Sequence, residues 1–120
     1  MSSEPKPVRW VGSSLKELRT FPKVVQRHIG QALYAAQRGE EYPTVKALNG
    51  FKGRSVLEII AASDTDTYRA VYTVRFYNAI YVLHAFQKKS KKGIATPKKE
   101  LDLIQERLAA AERDYKERQK

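Results

Sequence analysis

One predicted β-hairpin carries an arginine, a histidine and a lysine, which are side chains that can bind a phosphate or exchange a proton. Alternation of apolar and polar residues over 67–92 predicts two strands joined by a tight turn at Tyr77-Asn78. With a two-residue loop, Arg69, His84 and Lys88 share one face. A guanidinium binds a phosphate through paired donors, and an imidazole exchanges protons near neutral pH. We therefore predict that this face binds a sugar-phosphate chain.

A carboxylate on the preceding strand belongs to the same face. The strand predicted at 54–62 returns through a polar turn and places Glu58 opposite Val71, with His84 on the other side of Val71. Glu58 and His84 are then about 9–10 Å apart, which leaves room for a phosphate or a ribose. Glu58 is predicted to act as a second acid or base, or to accept a hydrogen bond from a ribose 2′-hydroxyl.

The charge of the chain favours a polyanionic partner. Its 120 residues contain 23 Lys and Arg against 13 Asp and Glu, a formal net charge of +10. Between positions 52 and 99, ten basic residues oppose three acidic ones, so this segment carries +7 of the total. We predict nucleic-acid contacts at Lys52, Arg54, Arg75, Lys91 and Lys92.

Several other functions receive no support. No apolar run is long enough for a membrane span, and the first ten residues lack the apolar centre of a signal peptide. The absence of cysteine agrees with the reducing cytoplasm, where we expect the protein to act without membrane contact. With two histidines and no nucleotide-binding glycine motif, we expect no metal and no cofactor.

The order of predicted elements is β-α-α-β-β-β-α in one α+β domain over 1–120, with frayed ends at 1–7 and 116–120. A short edge strand occupies 8–11, and two helices follow, the second opening at Pro22 and running to about Arg38. A loop at 40–53 leads to the three strands, and a last helix runs from Pro97 toward Tyr115. We expect a small antiparallel sheet with all helices on one face, which leaves the polar face open.

Several motifs resemble the RelE/ParE toxin superfamily, in its phage-derived Gp49-like or HigB-type branch. They are Tyr68-Arg69, Val71-Tyr72, the run IYVLHAF at 80–86, Lys88-Lys89 and Thr96-Pro97. The resemblance covers nearly the whole chain. It implies a RelE-like fold and a toxin that cleaves mRNA on the ribosome without a metal, by attack of a ribose 2′-oxygen on the neighbouring phosphate. It also implies a cognate antitoxin with a helix-turn-helix.

The resemblance assigns roles to particular residues. Arg69 matches the arginine that the family places against the scissile phosphate, and Lys88 or Lys89 matches a second basic catalytic residue. The chain departs from RelE at Glu58 and Ile60, where RelE has a pair of lysines. It also shows no counterpart of the C-terminal tyrosine of RelE.

Other interpretations of the same residues stay open. The fold also suits a ParE-like inhibitor of DNA gyrase, for which no proton-transfer group is needed, or a module that only binds nucleic acid or the ribosome. His84 alone fits a structural histidine, and Glu58 with Arg69 fits a cross-strand ion pair on a solvated face.

Overall fold

The computed structural model describes residues 4–51, 55–64, 66–88 and 96–120. Within these ranges the strands are β1 (Val8–Trp10), β2 (Val45–Ala47), β3 (Val56–Ser63), β4 (Asp66–Thr73) and β5 (Ile80–Lys88), and the helices are α1 (Ser14–Leu18), α2 (Lys23–Gln37) and α3 (Lys98–Arg118). In this part of the chain, no helix combines the length and the apolar character needed to cross a bilayer.

All five strands belong to one sheet in the order β1-β5-β4-β3-β2. Strand β1 runs parallel to β5, and every other neighbouring pair is antiparallel. Glu58 lies opposite Val71, Val71 lies opposite His84, and Arg69 lies opposite Phe86. The predicted α+β class and these pairings across β3, β4 and β5 are therefore confirmed.

The connection between β4 and β5 is longer than predicted. Strand β4 ends at Thr73, and residues 74–79 form a loop in place of a two-residue turn. Phe76 does not continue β4, and its ring stacks on Tyr115 of α3, with 4.7 Å between the ring centroids. The chain does turn at Tyr77-Asn78, but the prediction that the loop has only two residues was wrong.

A β-bulge compensates for this longer loop. Tyr72 lies opposite Val82, whereas Val71 lies opposite His84, so one extra residue of β5 is inserted between the two pairs. Because of this one-residue shift, the pairs from Val71–His84 to Thr67–Lys88 have the register that a two-residue turn predicts. The predicted pairing at His84 is thus correct although the predicted loop length was wrong.

Residues 45–47 form the edge strand β2 within the segment that was predicted to be a loop. Val45 packs against the core, and the backbone N–H of Ile60 donates to the carbonyl of Thr44 over 3.1 Å. In this register Lys46 lies opposite Glu58. The sheet therefore gains a basic side chain next to Glu58.

Helices α1 and α2 cover one face of the sheet. Leu18 of α1 and Val25 and Ile29 of α2 belong to the same apolar cluster as Ile59 and Ala70 of the sheet. Alternation along β3 and β4 brings these sheet residues to a single side. This half of the predicted helix arrangement is confirmed.

Helix α3 packs on the opposite face, which corrects the prediction that all helices share one side. Its residues Ile104, Leu108 and Ala111 form a second apolar cluster with Val71 and Leu83. Because both faces of the central strands carry apolar residues, each face needs its own helical cover. The face of Glu58 and His84 is therefore largely covered and is not open as predicted.

Both ends of the described chain make hydrogen bonds within the segments that were predicted to fray. The backbone N–H of Lys6 donates to the carbonyl of Gln37 over 3.1 Å, which holds the start of the chain against α2. Helix α3 extends to Arg118, whose Nε donates to Asp114 one turn earlier over 2.7 Å. Of the predicted frayed ends, 1–3 lie outside the described residues.

The packing of α3 leads to a stability prediction. Replacing the fully buried Ile104 with alanine should lower the free energy of unfolding by about 2–5 kcal/mol, because a cavity opens between α3 and the sheet. The exposed neighbour Gln105 serves as the matched control, and Gln105→Ala should change it by less than about 0.5 kcal/mol. Urea unfolding measures both, and equal effects would contradict this placement of α3.

Candidate anion-binding site

An ion pair between β3 and β4 forms the centre of the candidate site. The Nη1 of Arg69 lies 3.0 Å from Oε2 of Glu58, and their side chains are 15% and 3% exposed. Their pairing across the sheet follows from the confirmed register, which places both side chains on the α3 face. The Nε of Arg69 is buried and has no hydrogen-bond partner among the described residues. One edge of this guanidinium is thus fixed by Glu58.

Two lysines add charge around this pair. Lys88 is buried at the end of β5, and Lys46 is exposed on β2 opposite Glu58. Burial lowers the pKa of Lys88, the positive charges of Arg69 and Lys46 lower it further, and Glu58 opposes them by raising it. We call Lys46, Glu58, Arg69 and Lys88 the cationic cluster.

The cationic cluster has a net charge of about +2 when its lysines are protonated, since three basic groups surround one carboxylate. Burial weakens the screening of these charges by water. Such a surplus attracts an anion, and the guanidinium of Arg69 has the donor geometry for a phosphate. The cluster is therefore suited to binding a phosphate group.

The chain segment just before α3 approaches this cluster. The hydroxyl of Thr96 lies 3.5 Å from Oε2 of Glu58, the same oxygen that Arg69 contacts. Helix α3 begins two residues later, at Lys98. The N-terminal end of α3 therefore lies beside the ion pair.

His84 occupies a different environment from the one predicted. It is only 4% exposed, and its Nε2 lies 2.7 Å from Oε1 of Glu100, while its Nδ1 lies 3.2 Å from Oε1 of Glu17. Its ring also stacks on Phe86, with 4.9 Å between centroids. Both ring nitrogens are therefore engaged by carboxylates, and the prediction of an exposed imidazole was wrong.

Arg107 of α3 completes this histidine network. Its Nη1 donates to the carbonyl of Leu83 over 3.0 Å, and its Nη2 donates to the hydroxyl of Ser13 over 3.0 Å. Burial acts to raise the pKa of Glu17, but the hydrogen bond from Ser13 and the charges of His84 and Arg107 outweigh it and lower that pKa. The network connects α1, β5 and α3.

Backbone geometry at Gly12 also serves this network. Its φ of +56° lies in the left-handed region, and an added Cβ would lie 3.0 Å from Nε of Arg107. No periodicity in the sequence indicates that Arg107 meets Gly12 and Glu17, since Arg107 lies about 90 residues further along the chain. Sequence reasoning missed this network for that reason, and it missed Lys46 because the segment that contains β2 was predicted to be a loop.

Of the remaining predicted site residues, the structure describes Arg75, which lies away from the cationic cluster. Arg75 forms an ion pair with Glu112 of α3. It follows Arg69 by six positions, which is about 20 Å of extended chain. Lys52, Arg54, Lys89, Lys91 and Lys92 lie outside the described residues. Within the described ranges, no group of three or more His, Asp or Glu side chains is arranged to bind a metal ion.

Comparisons with known proteins agree with the fold. A family model described as "Phage derived protein Gp49-like (DUF891)" matches residues 16–109, which confirms the resemblance predicted from the sequence. The structure of a mutant of the E. coli toxin RelE in the free state is similar, with 18% identity, a TM-score of 0.51, and coverage of 68% of this chain and 82% of that one.

A second similar structure is the toxin-antitoxin complex RelBE2 from Mycobacterium tuberculosis. It shows 14% identity and a TM-score of 0.49, and the match covers 71% of this chain and 100% of that chain. No curated protein matches the sequence significantly. At these identities the likeness to solved structures concerns the fold alone.

The charges around Lys88 predict that substitutions of Arg69 and of Glu58 shift the pKa of Lys88 in opposite directions. Arg69→Gln should raise the pKa of Lys88, because it removes a positive neighbour, whereas Glu58→Gln should lower it, because it removes the negative one. NMR titration of the Lys88 side chain measures both shifts. The exposed Lys120 beyond the far end of α3, which pairs with Glu117, provides a control in Lys120→Gln, and this variant should leave the pKa of Lys88 unchanged. Shifts in the same direction in the two site variants would contradict the assigned contacts.

Proposed function

Because this chain belongs to the phage-derived Gp49-like family and has a RelE-like fold, we propose that it is the toxin of a type II toxin-antitoxin system. Its activity is that of a ribosome-dependent mRNA endonuclease, and it inhibits translation. The substrate is an mRNA undergoing translation, so the toxin acts in the cytoplasm.

The cationic cluster is the observation that carries this proposal. A nearly buried carboxylate, Glu58, holds Arg69 at 3.0 Å, and basic side chains stand on both sides of the pair. The cluster retains positive charge after Glu58 is counted. A ribose-phosphate backbone is the anionic substrate that fits the overall charge of +10.

The proposed reaction forms one bond to phosphorus and breaks another. The ribose 2′-oxygen attacks the adjacent phosphorus and loses its proton to solvent, and the bond from phosphorus to the 5′-oxygen breaks. The products are a 2′,3′-cyclic phosphate and a 5′-hydroxyl. Arg69 stabilises the charge that develops on the phosphate oxygens. Lys88, whose pKa is lowered, donates the proton that the leaving 5′-oxygen acquires.

The other predicted catalytic residues assist Arg69 and Lys88. Glu58 orients Arg69, since its oxygen already lies at hydrogen-bond distance from the guanidinium. His84 is a positioning residue, because its nitrogens contact Glu17 and Glu100 and thereby hold α1 and α3 on β5. Lys89 remains a candidate second basic residue.

RNA and ribosome contacts outside the cluster are assigned to the basic residues predicted from the sequence, Lys52, Arg54, Arg75, Lys91 and Lys92. The partner is a cognate antitoxin with a helix-turn-helix, which neutralises the toxin when cells grow. An antitoxin is required because a free endonuclease of this kind arrests translation.

Substitution of Arg69 tests the proposal. Arg69→Ala should reduce cleavage of ribosome-bound mRNA by about 10²–10³-fold, because transition-state charge loses its main donor. Growth arrest on expression should disappear in parallel. The exposed Arg19 gives the matched control, and Arg19→Ala should cleave and arrest growth like the unsubstituted chain. Circular dichroism establishes that each variant is folded.

Three results would contradict the proposal. Undiminished cleavage by Arg69→Ala would show that the cluster is not the site. DNA damage with intact mRNA would favour a gyrase inhibitor. Growth arrest that declines gradually with every lysine removed, without cleavage, would favour a module that only binds nucleic acid.

A further inference from the structure

A crevice lies at the edge of β5 beyond the end of β1, and we call it the β5 crevice. Strand β1 pairs with residues 80–82 of β5, and past them this edge of β5 has no strand neighbour among the described residues. The crevice has a volume of about 490 Å³, within the range of about 300–1,000 Å³ that is usual for sites of small ligands. Its lining includes Lys16, Thr20, Phe21, Tyr68, Phe86 and Gln87.

The β5 crevice is close to the cationic cluster. Tyr68 precedes Arg69 on β4, Gln87 precedes Lys88 on β5, and Tyr68 lies opposite Gln87. Successive residues of a strand point to opposite faces and have Cα atoms about 3.8 Å apart. The crevice and the cluster therefore lie on the two faces of the same end of β4 and β5. Phe86, which lies opposite Arg69, also lines the crevice, so the open edge of β5 joins the two sites.

The aromatic part of the lining is rigid. The rings of Phe21 and Tyr68 have centroids 4.8 Å apart and are tilted by 52°. Both residues are more than nine-tenths buried, so packing fixes the rings and leaves their edges toward the crevice. The edge of an aromatic ring is positive and attracts the face of another π-system. A planar base that enters the crevice therefore meets ring edges in a fixed orientation.

Two polar side chains of the lining have no partner in the described part of the chain. Gln87 is half-buried and forms no side-chain hydrogen bond there, and Lys16 is exposed and forms no ion pair there. The amide of a glutamine offers a donor and an acceptor, which match N7 and N6 of adenine. A lysine contacts a phosphate of the backbone. Gln87 and Lys16 thus provide groups for a base edge and for its phosphate.

We propose that the β5 crevice binds one base of the mRNA next to the scissile phosphate, and that Gln87 is the specificity-determining residue. Its amide pairs with the edge of an adenine, while the base face contacts the edges of Phe21 and Tyr68. Lys16 contacts the phosphate of the same nucleotide. The inference rests on the proposed function only for the identity of the RNA as a cleaved mRNA.

Other occupants fit the β5 crevice less well. An apolar side chain of a partner protein would cover the amide of Gln87 without a hydrogen bond, which is costly. A small anion would use Lys16 but not the aromatic rings. The carboxylate in the lining, Glu17, does not repel RNA strongly, because its Oε1 lies 3.4 Å from Nη1 of Arg107 and its charge is compensated. A base with its phosphate uses the rings, the amide and the lysine together.

The test measures base preference in cleavage. The probes are ribosome-bound mRNAs in which each base of the codon under translation is varied singly, and kcat/KM is compared among the four bases. Gln87→Ala should lower the preference for adenine at one codon position by about tenfold, because a paired contact to the base is lost. The exposed Gln105 of α3 gives the control, and Gln105→Ala should keep the preference within about twofold.

Gln87→Glu is a second variant that keeps the size of the side chain. It replaces the amide donor with an acceptor, so the preference should move from adenine toward cytosine, whose amino group donates to a carboxylate. Because bases are compared within one variant, a change in overall rate caused by the new charge near Lys88 cancels. An adenine preference that either variant keeps would overturn the proposal, and so would the absence of any base preference in the unsubstituted chain.

The two proposals fail separately. Binding of uncleavable 2′-O-methyl oligonucleotides, measured by fluorescence anisotropy, reports base preference without cleavage. If no chain cleaves RNA but Gln87→Ala binds adenine-containing oligonucleotides with less preference, the proposed function is wrong and the base site stands. If both chains cleave mRNA with the same base preference, the base site is wrong and the proposed function stands.

Discussion

The ion pair between Glu58 and Arg69 is the interaction on which the remaining structure of the site depends. Removing two charges from water is costly, and a buried pair of this kind often adds little net stability. Its consequence is geometric, because moving Arg69 away would take an ion-pair partner from a buried carboxylate, which is costly. The pair therefore fixes a guanidinium in one orientation, and Lys88 and Lys46 supply the charge that an anion needs.

Helix α3 performs two tasks at this site. Its apolar stripe, including Ile104, covers the sheet face next to the ion pair and limits access of water to it. Its N-terminal end contacts the sheet through Glu100 on His84, and Thr96 just before it reaches Glu58. The histidine network thus holds Glu100, in the first turn of α3, on β5, and the residues just before α3 approach the cationic cluster.

The sequence predicted the strand register, the α+β class and the family, because alternation and local motifs carry that information. The register at His84 was correct only because a bulge offset a longer loop, which alternation does not reveal. The prediction of which sheet face α3 covers was wrong, since the apolar stripe of a helix does not indicate which apolar face of a sheet it packs against. Arg107 was missed because Glu17 lies about 90 residues away in the chain, and Lys46 was missed because its short strand was predicted to be a loop.

The most direct test compares binding and cleavage for RNA in Glu58→Gln and Arg69→Gln. Binding is measured with an oligonucleotide lacking the attacking 2′-hydroxyl. If Glu58 orients Arg69, Glu58→Gln should bind RNA at least as tightly as the unsubstituted chain and cleave it at least about tenfold more slowly. Arg69→Gln should lose both properties. Cleavage by Glu58→Gln at the unsubstituted rate would contradict the account.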